Sequence, residues 1–115
     1  MKSLKLAAAV LLFTSIAQAQ TLTASQAKDH EGQKATVCGT VASEHTSARA
    51  HGQPTFINLD APYPNQLFTI LVWGDDRANI GSLPSTGSRV CATGLIKDYR
   101  GTPEMVVNSS EQLSK

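Results

Sequence analysis

Two cysteines, three histidines and nine carboxylates are the side chains of this chain with the most reactive chemistry. Cys38 and Cys91 are its only cysteines. A redox-active thiol pair is usually spaced C-x-x-C at a helix start, where the thiolate is stabilised. These two lie far apart, each central to an apolar, strand-like stretch, residues 36–41 and 89–96. In an oxidising compartment that arrangement predicts one structural disulfide, Cys38 to Cys91. His45 and His51, with Asp60 or His30, raise a metal reading. Zinc needs closely spaced His or Cys pairs whose ligands converge. The histidines lack that spacing, so neither a metal site nor any other cofactor is expected. Metal-dependent hydrolysis would need clustered carboxylates and arginines on a phosphate. Asp75 and Asp76 are adjacent and diverge on a strand, Asp60 and Glu104 are isolated in sequence, and no serine occupies a G-x-S-x-G elbow. The chain does not read as an enzyme.

Its rings and cations suit binding better. Phe56, Asn58, Tyr63, Asn65, Phe68, Trp73 and Tyr99 fall on or near two central strands and their loops, with Arg49, Lys97 and Arg100 as nearby cations. A protein that holds single strands needs flat rings for bases and cations for phosphates. The expected ligand-binding set is Arg49, Asn58, Tyr63, Trp73, Lys97, Tyr99 and Arg100. Phe56 and Phe68 read more readily as core, because half of each barrel strand faces inward. Trp73 ends a strand, where capping the core is the competing role. Tyr63 stands between Pro62 and Pro64 and is hard to bury; such loops carry function disproportionately.

The elements that position these residues follow a leader. Lys2 and Lys5 precede an apolar run over residues 6–13, and Ala17-Gln18-Ala19 supplies small residues for cleavage before Gln20. This is the pattern of a secretory signal peptide over residues 1–19. The run is too short for a spanning helix of about 20 residues, and no cysteine stands at the cleavage point, so no stable membrane anchor is expected. The protein is then periplasmic or secreted. Residues 20–115 form one domain, too small for two cores. Removing the leader's two lysines from ten Lys+Arg leaves eight against nine Asp+Glu, a net charge of −1. That balance argues against strong non-specific DNA binding, which lives on a basic excess.

Within the domain, residues 21–30 read as a short helix with Thr23 as N-cap, Leu22 and Ala27 as its apolar contacts, and Gly32 past its end. Residues 34–43 alternate as a strand, with Gly39 marking a bulge or bend. Residues 44–53 are polar and read as a loop. Residues 55–59 and 67–73 are the second and third strands, the third apolar on both faces with Thr69 its lone interruption. Residues 74–81 are a short helix or turn. Residues 89–96 and 104–107 are the fourth and fifth strands, the latter entered through a tight turn at Tyr99-Arg100-Gly101-Thr102. Residues 108–115 are a polar tail apart from Leu113.

Five strands with a short helix or turn between the third and fourth is the order of an OB-fold barrel, in which the first strand pairs with the fourth. The expected fold is therefore all-β, a five-stranded OB-fold barrel behind a short N-terminal helix. Thr36-Val37-Cys38-Gly39-Thr40-Val41, the stretch 52–60, Tyr63-Pro64-Asn65-Gln66-Leu67-Phe68-Thr69-Ile70, the stretch 90–96 and residues 99–105 resemble the nucleic-acid-binding OB-fold superfamily. More closely, the chain is similar to the small exported bacterial OB-fold proteins. The resemblance implies an exported binding module whose groove takes an extended polymer, single-stranded nucleic acid first. The alternative is a cell-envelope protein-interaction or structural module built on the same strands.

Overall fold

The computed structural model describes residues 20–115, together with Ala9. The expected leader and its cleavage point lie outside the described residues. Eight strands form along the domain: β1 Gln20–Thr23, β2 Lys34–Thr46, β3 Thr55–Leu59, β4 Phe68–Val72, β5 Arg89–Leu95, β6 Lys97–Tyr99, β7 Thr102–Val106 and β8 Leu113–Ser114. A 3-10 helix, Ala24–His30, follows β1, and a one-turn helix, α1 Arg77–Ile80, lies between β4 and β5.

Thr23 caps the first helix as its sequence position predicts. Its hydroxyl accepts the Gln26 N–H at 3.3 Å while the Gln26 side-chain oxygen, Oε1, accepts the Thr23 N–H at 2.9 Å. The helix has three residues per turn, so Ala24 and Ala27 fall on one buried face. Leu22 is buried too, but from a strand: residues 20–23 pair in parallel with β2 rather than opening the helix.

β2 is the spine. Its first half pairs with β5, Lys34 to Thr40 against Leu95 to Arg89, and its second half pairs with β3, Val41 to Thr46 against Leu59 to Thr55. The register shifts between Val41 and Ser43, a bulge that bends the strand and re-aims its side chains. The bulge falls beyond Gly39, which serves a close approach instead. A Cβ there would meet Asp60 Oδ1 at 2.9 Å and Leu59 Cβ at 3.2 Å. Asp60 uses that space: its carboxylate accepts the Thr40 N–H and its own N–H donates to the Thr40 carbonyl, each at 2.9 Å.

The five-stranded barrel gives way to eight strands in an open sheet, ordered β6-β7-β4-β3-β2-β5-β8 with β1 beside β2. The added strands are short. All of β6 is exposed, and β8 has two residues, so neither writes an apolar period into the sequence. β2 runs on to Thr46, through residues that read as loop. Among the described residues no ladder joins the two ends of the sheet. They meet through side chains: Met105 on β7 lies against Gly94 on β5, where an added Cβ would meet its Cγ at 3.1 Å. The Gln112 amide donates to the Thr93 carbonyl at 3.0 Å and the Val106 carbonyl at 3.3 Å, tying β5 to β7. The polar tail is thus a clip across the seam.

The core holds Phe68, Ile70 and Val72 of β4, with Val37, Val41, Ile57, Leu59, Val90 and Met105 around them. Cys38 and Cys91 are directly opposite each other on β2 and β5 and are bonded. Their Cα atoms are 4.0 Å apart. The Val41 N–H reaches the Ser88 carbonyl and the Ile96 N–H the Gln33 carbonyl. Odd-numbered β2 residues therefore take the hydrogen-bonded places, and Cys38 falls at a non-hydrogen-bonded place, where backbones approach most closely. No helix among the described residues is long and apolar enough to cross a membrane.

Candidate binding groove

Beyond the bulge, register sets the site. Ser43 on β2 stands opposite Asn58 on β3, Asn58 opposite Thr69 on β4, Thr69 opposite Glu104 on β7, and Glu104 opposite Lys97 on β6. Paired residues project to the same face, so one polar row crosses five strands. Its centre is deeply buried: Asn58 is 2 %, Thr69 5 % and Glu104 9 % exposed.

Buried polar groups need partners, and the row supplies most of them. The Asn58 amide donates to Ser43 Oγ at 3.1 Å, and the Thr69 hydroxyl donates to Asn58 Oδ1 at 3.2 Å. Gln66 Nε2 donates to Thr69 Oγ1 at 3.2 Å. The Tyr63 N–H donates to Ser43 Oγ at 3.2 Å, which fixes the loop carrying the Tyr63 ring to the row. Two acceptors are left over. Gln66 Oε1 is sealed from solvent with no partner among the described residues. The Glu104 carboxylate makes no hydrogen bond or ion pair among them either. Burial pushes its pKa up, and the Lys97 ammonium across the ladder partly opposes that.

Above the row lies a groove of about 730 Å³. Asn58, Thr69, Gln66 and Glu104 line it from below, and the rings of Phe56, Tyr63 and Tyr99 line its sides with His45 and Arg100. Tyr63 is 74 % and Tyr99 54 % exposed, both large rings left in water. Arg100 and Gly101 form a two-residue hairpin turn with positive φ at both, 51° and 90°, the geometry that joins twisted strands most tightly. Asp98 Oδ1 accepts the Gly101 N–H at 3.0 Å. The turn sets the Arg100 guanidinium 5.3 Å from the centre of the Tyr99 ring, a cation–π distance.

Four of the seven expected binding residues, Asn58, Tyr63, Tyr99 and Arg100, meet in this groove. Arg49, Trp73 and Lys97 do not line it. Arg49 is exposed on the β2–β3 loop. The Trp73 ring packs on that loop, 2.9 Å from where a Gly52 Cβ would stand, and the Gly74 N–H donates to the Gly52 carbonyl. Trp73 thus packs against a loop outside the groove while remaining 39 % exposed. Lys97 ends the polar row outside the groove wall. Phe68 is core, whereas Phe56 is half-buried and lines the groove. The sequence reading left out Gln66, Thr69 and Thr102 and set Glu104 and His45 aside. One signal was present: Thr69 is the single polar residue of the apolar strand β4. Among the described residues no three His, Cys, Asp or Glu side chains converge as a metal site would require.

No protein-family model and no curated protein matches the chain. Solved structures do. A lipoprotein of Klebsiella pneumoniae subsp. pneumoniae, described provisionally as nucleic-acid-binding, superimposes with a TM-score of 0.53 at 15 % identity, covering 76 % of this chain and 87 % of that one. A protein of Leishmania major, described provisionally as an aspartyl-tRNA synthetase, superimposes with a TM-score of 0.55 at 10 % identity. That match covers 90 % of this chain but 22 % of the synthetase. At these identities the likeness is one of fold.

Proposed function

We propose that the domain is an OB-like binding module that holds single-stranded nucleic acid in the groove above β3, β4 and β7. The observation that carries this is the pairing of exposed rings, Tyr63 and Tyr99, with a buried row of amide, hydroxyl and carboxylate groups beneath them. Rings offer stacking surfaces to bases, and such a row offers hydrogen bonds to their edges. The OB-like reading draws on the split pairing of β2, the parallel β4–β7 ladder and the short helix between β4 and β5. The Klebsiella neighbour, described provisionally as nucleic-acid-binding, has the same fold. The disulfide and that neighbour's being a lipoprotein support a place outside the cytoplasm. The role is binding without catalysis.

Among the described residues Arg100 is the one Lys or Arg that lines the groove, and Glu44 and Glu104 line it too. Phosphates therefore contribute little, and the bases carry the affinity. The rival reading, a protein-interaction module, would draw on an apolar patch at Leu71 and Trp73. Leu71 is 6 % exposed, so Trp73, 39 % exposed, would carry that patch almost alone. A binding screen of the protein against single-stranded DNA, single-stranded RNA and glycans at two salt concentrations tests the proposal. Binding to single strands that weakens little with salt is expected. Binding to none of them would hand the groove to the protein-interaction reading.

A further inference from the structure

Glu104 stands apart from every other residue of the row. Ser43, Asn58 and Thr69 satisfy one another. The Glu104 side chain is nine-tenths buried, lines the groove, and has no hydrogen-bond or ion-pair partner among the described residues. Its carboxylate oxygens are not sealed from solvent as Gln66 Oε1 is. The small exposure it keeps is on the groove side, where a ligand would lie. A buried carboxylate without donors is costly to the fold, and a ligand that brings donors recovers that cost.

We propose that Glu104 makes the groove selective for guanine among the bases of a single strand. This rests on the nucleic-acid reading given above. An ionised carboxylate accepts through two oxygens and binds best to two parallel N–H donors. Guanine alone among the bases carries two adjacent donors on its pairing edge, N1–H and the N2 amino group. Cytosine and adenine place one amino donor next to a ring-nitrogen acceptor, whose lone pair would face the second oxygen. Thymine and uracil flank their single N–H with carbonyls. The neighbouring groups fit the rest of the base. Tyr99 pairs with Thr102, one row along the same face from Glu104, about 7 Å away at the rise of a strand. A base stacked on Tyr99 is therefore close enough for its pairing edge to reach Glu104.

The test uses the protein and three labelled DNA strands: thymine throughout, the same strand with a central guanine, and the same strand with hypoxanthine there instead. Hypoxanthine keeps N1–H and lacks the N2 amino group. Fluorescence anisotropy should show the guanine strand binding roughly tenfold tighter than thymine, with most of the gain lost on hypoxanthine. Glu104→Gln should bind all three alike, at the affinity of the parent for thymine, because an amide replaces one acceptor with a donor. The hypoxanthine comparison uses unaltered protein and stands even if that variant misfolds. Equal affinity for all three strands, or hypoxanthine binding as tightly as guanine, would overturn guanine selection and leave the nucleic-acid reading intact. Failure to bind any strand, with capture of an arginine-bearing peptide at the groove, would overturn both.

Discussion

Asn58 and Thr69 face each other across β3 and β4, and the Thr69 hydroxyl donates to Asn58 Oδ1 at 3.2 Å within the core of the sheet. Each side chain is almost wholly buried. Their bond is the middle link between Ser43, which holds the Tyr63 loop, and Gln66, which lines the groove. Thr69→Val keeps the shape and removes the link, leaving Asn58 Oδ1 and Gln66 Nε2 without a partner. A loss of about 1–3 kcal/mol is expected from urea denaturation. A change below about 0.5 kcal/mol would mean that the row does not hold the sheet.

Gln112 is expected to be the most sensitive residue of the last eight. Besides the two carbonyls across the seam, its Oε1 accepts the N–H groups of Asn108 at 2.9 Å and Ser109 at 3.2 Å. Gln112→Ala breaks these four bonds, and the longer one donated by Ser109 Oγ at 3.5 Å, and should cost about 2–3 kcal/mol. Amide exchange should speed up in β5, β7 and β8 while β3 stays protected. Uniform exchange across the sheet would contradict the clip.

Much of this was legible in the sequence, and the parts that were not share a cause. The alternation of β2 and the apolar run of β4 announced the core, and the two cysteines, each mid-strand, announced which strands pair. The short polar strands β6 and β8 take their shape from their neighbours, not from their own composition. The same holds for the site. Tyr63 and Tyr99 could be picked out because large rings in turns have nowhere to hide. Thr69 shows only as the one polar residue of β4 and Glu104 not at all, because their roles come from register across strands distant in sequence. Trp73 falls outside the groove because its ring packs on the β2–β3 loop, a place an aromatic at a strand end can take as readily as one beside a ligand.

The disulfide closes a long loop, with its cysteines separated by 53 positions. Chain entropy assigns it roughly 4 kcal/mol. Cys38→Ala with Cys91→Ala should lower the denaturation midpoint accordingly, and unreduced protein should show no alkylatable thiol by mass spectrometry. Two free thiols in freshly isolated protein would refute the bond.

Glu104 should leave a mark on stability against pH. Its folded pKa lies above the usual carboxyl value of 4.5, chiefly because burial disfavours the charged form. The unfolded chain therefore releases its proton first as pH rises, and the group destabilises the fold once ionised. Glu104→Gln should be more stable than the parent near neutral pH. The gap should narrow as pH falls through the raised pKa and vanish below 4.5. A gap that widens on acidification would show that Glu104 is instead held in its charged form.

The central claim is that single strands bind through the rings, and one measurement addresses it most directly. Tyr63 and Tyr99 are both more than half exposed, so Tyr63→Ala with Tyr99→Ala should leave Tm nearly unchanged. Stacking is worth about 1–3 kcal/mol per base, so the affinity of this double variant for a single-stranded oligonucleotide should fall at least about tenfold. With one cation lining the groove, log affinity against log salt should have a slope of roughly −1 or shallower, the release of about one counterion. Full affinity in the folded double variant, or a steep slope that marks many phosphate contacts, would contradict the account.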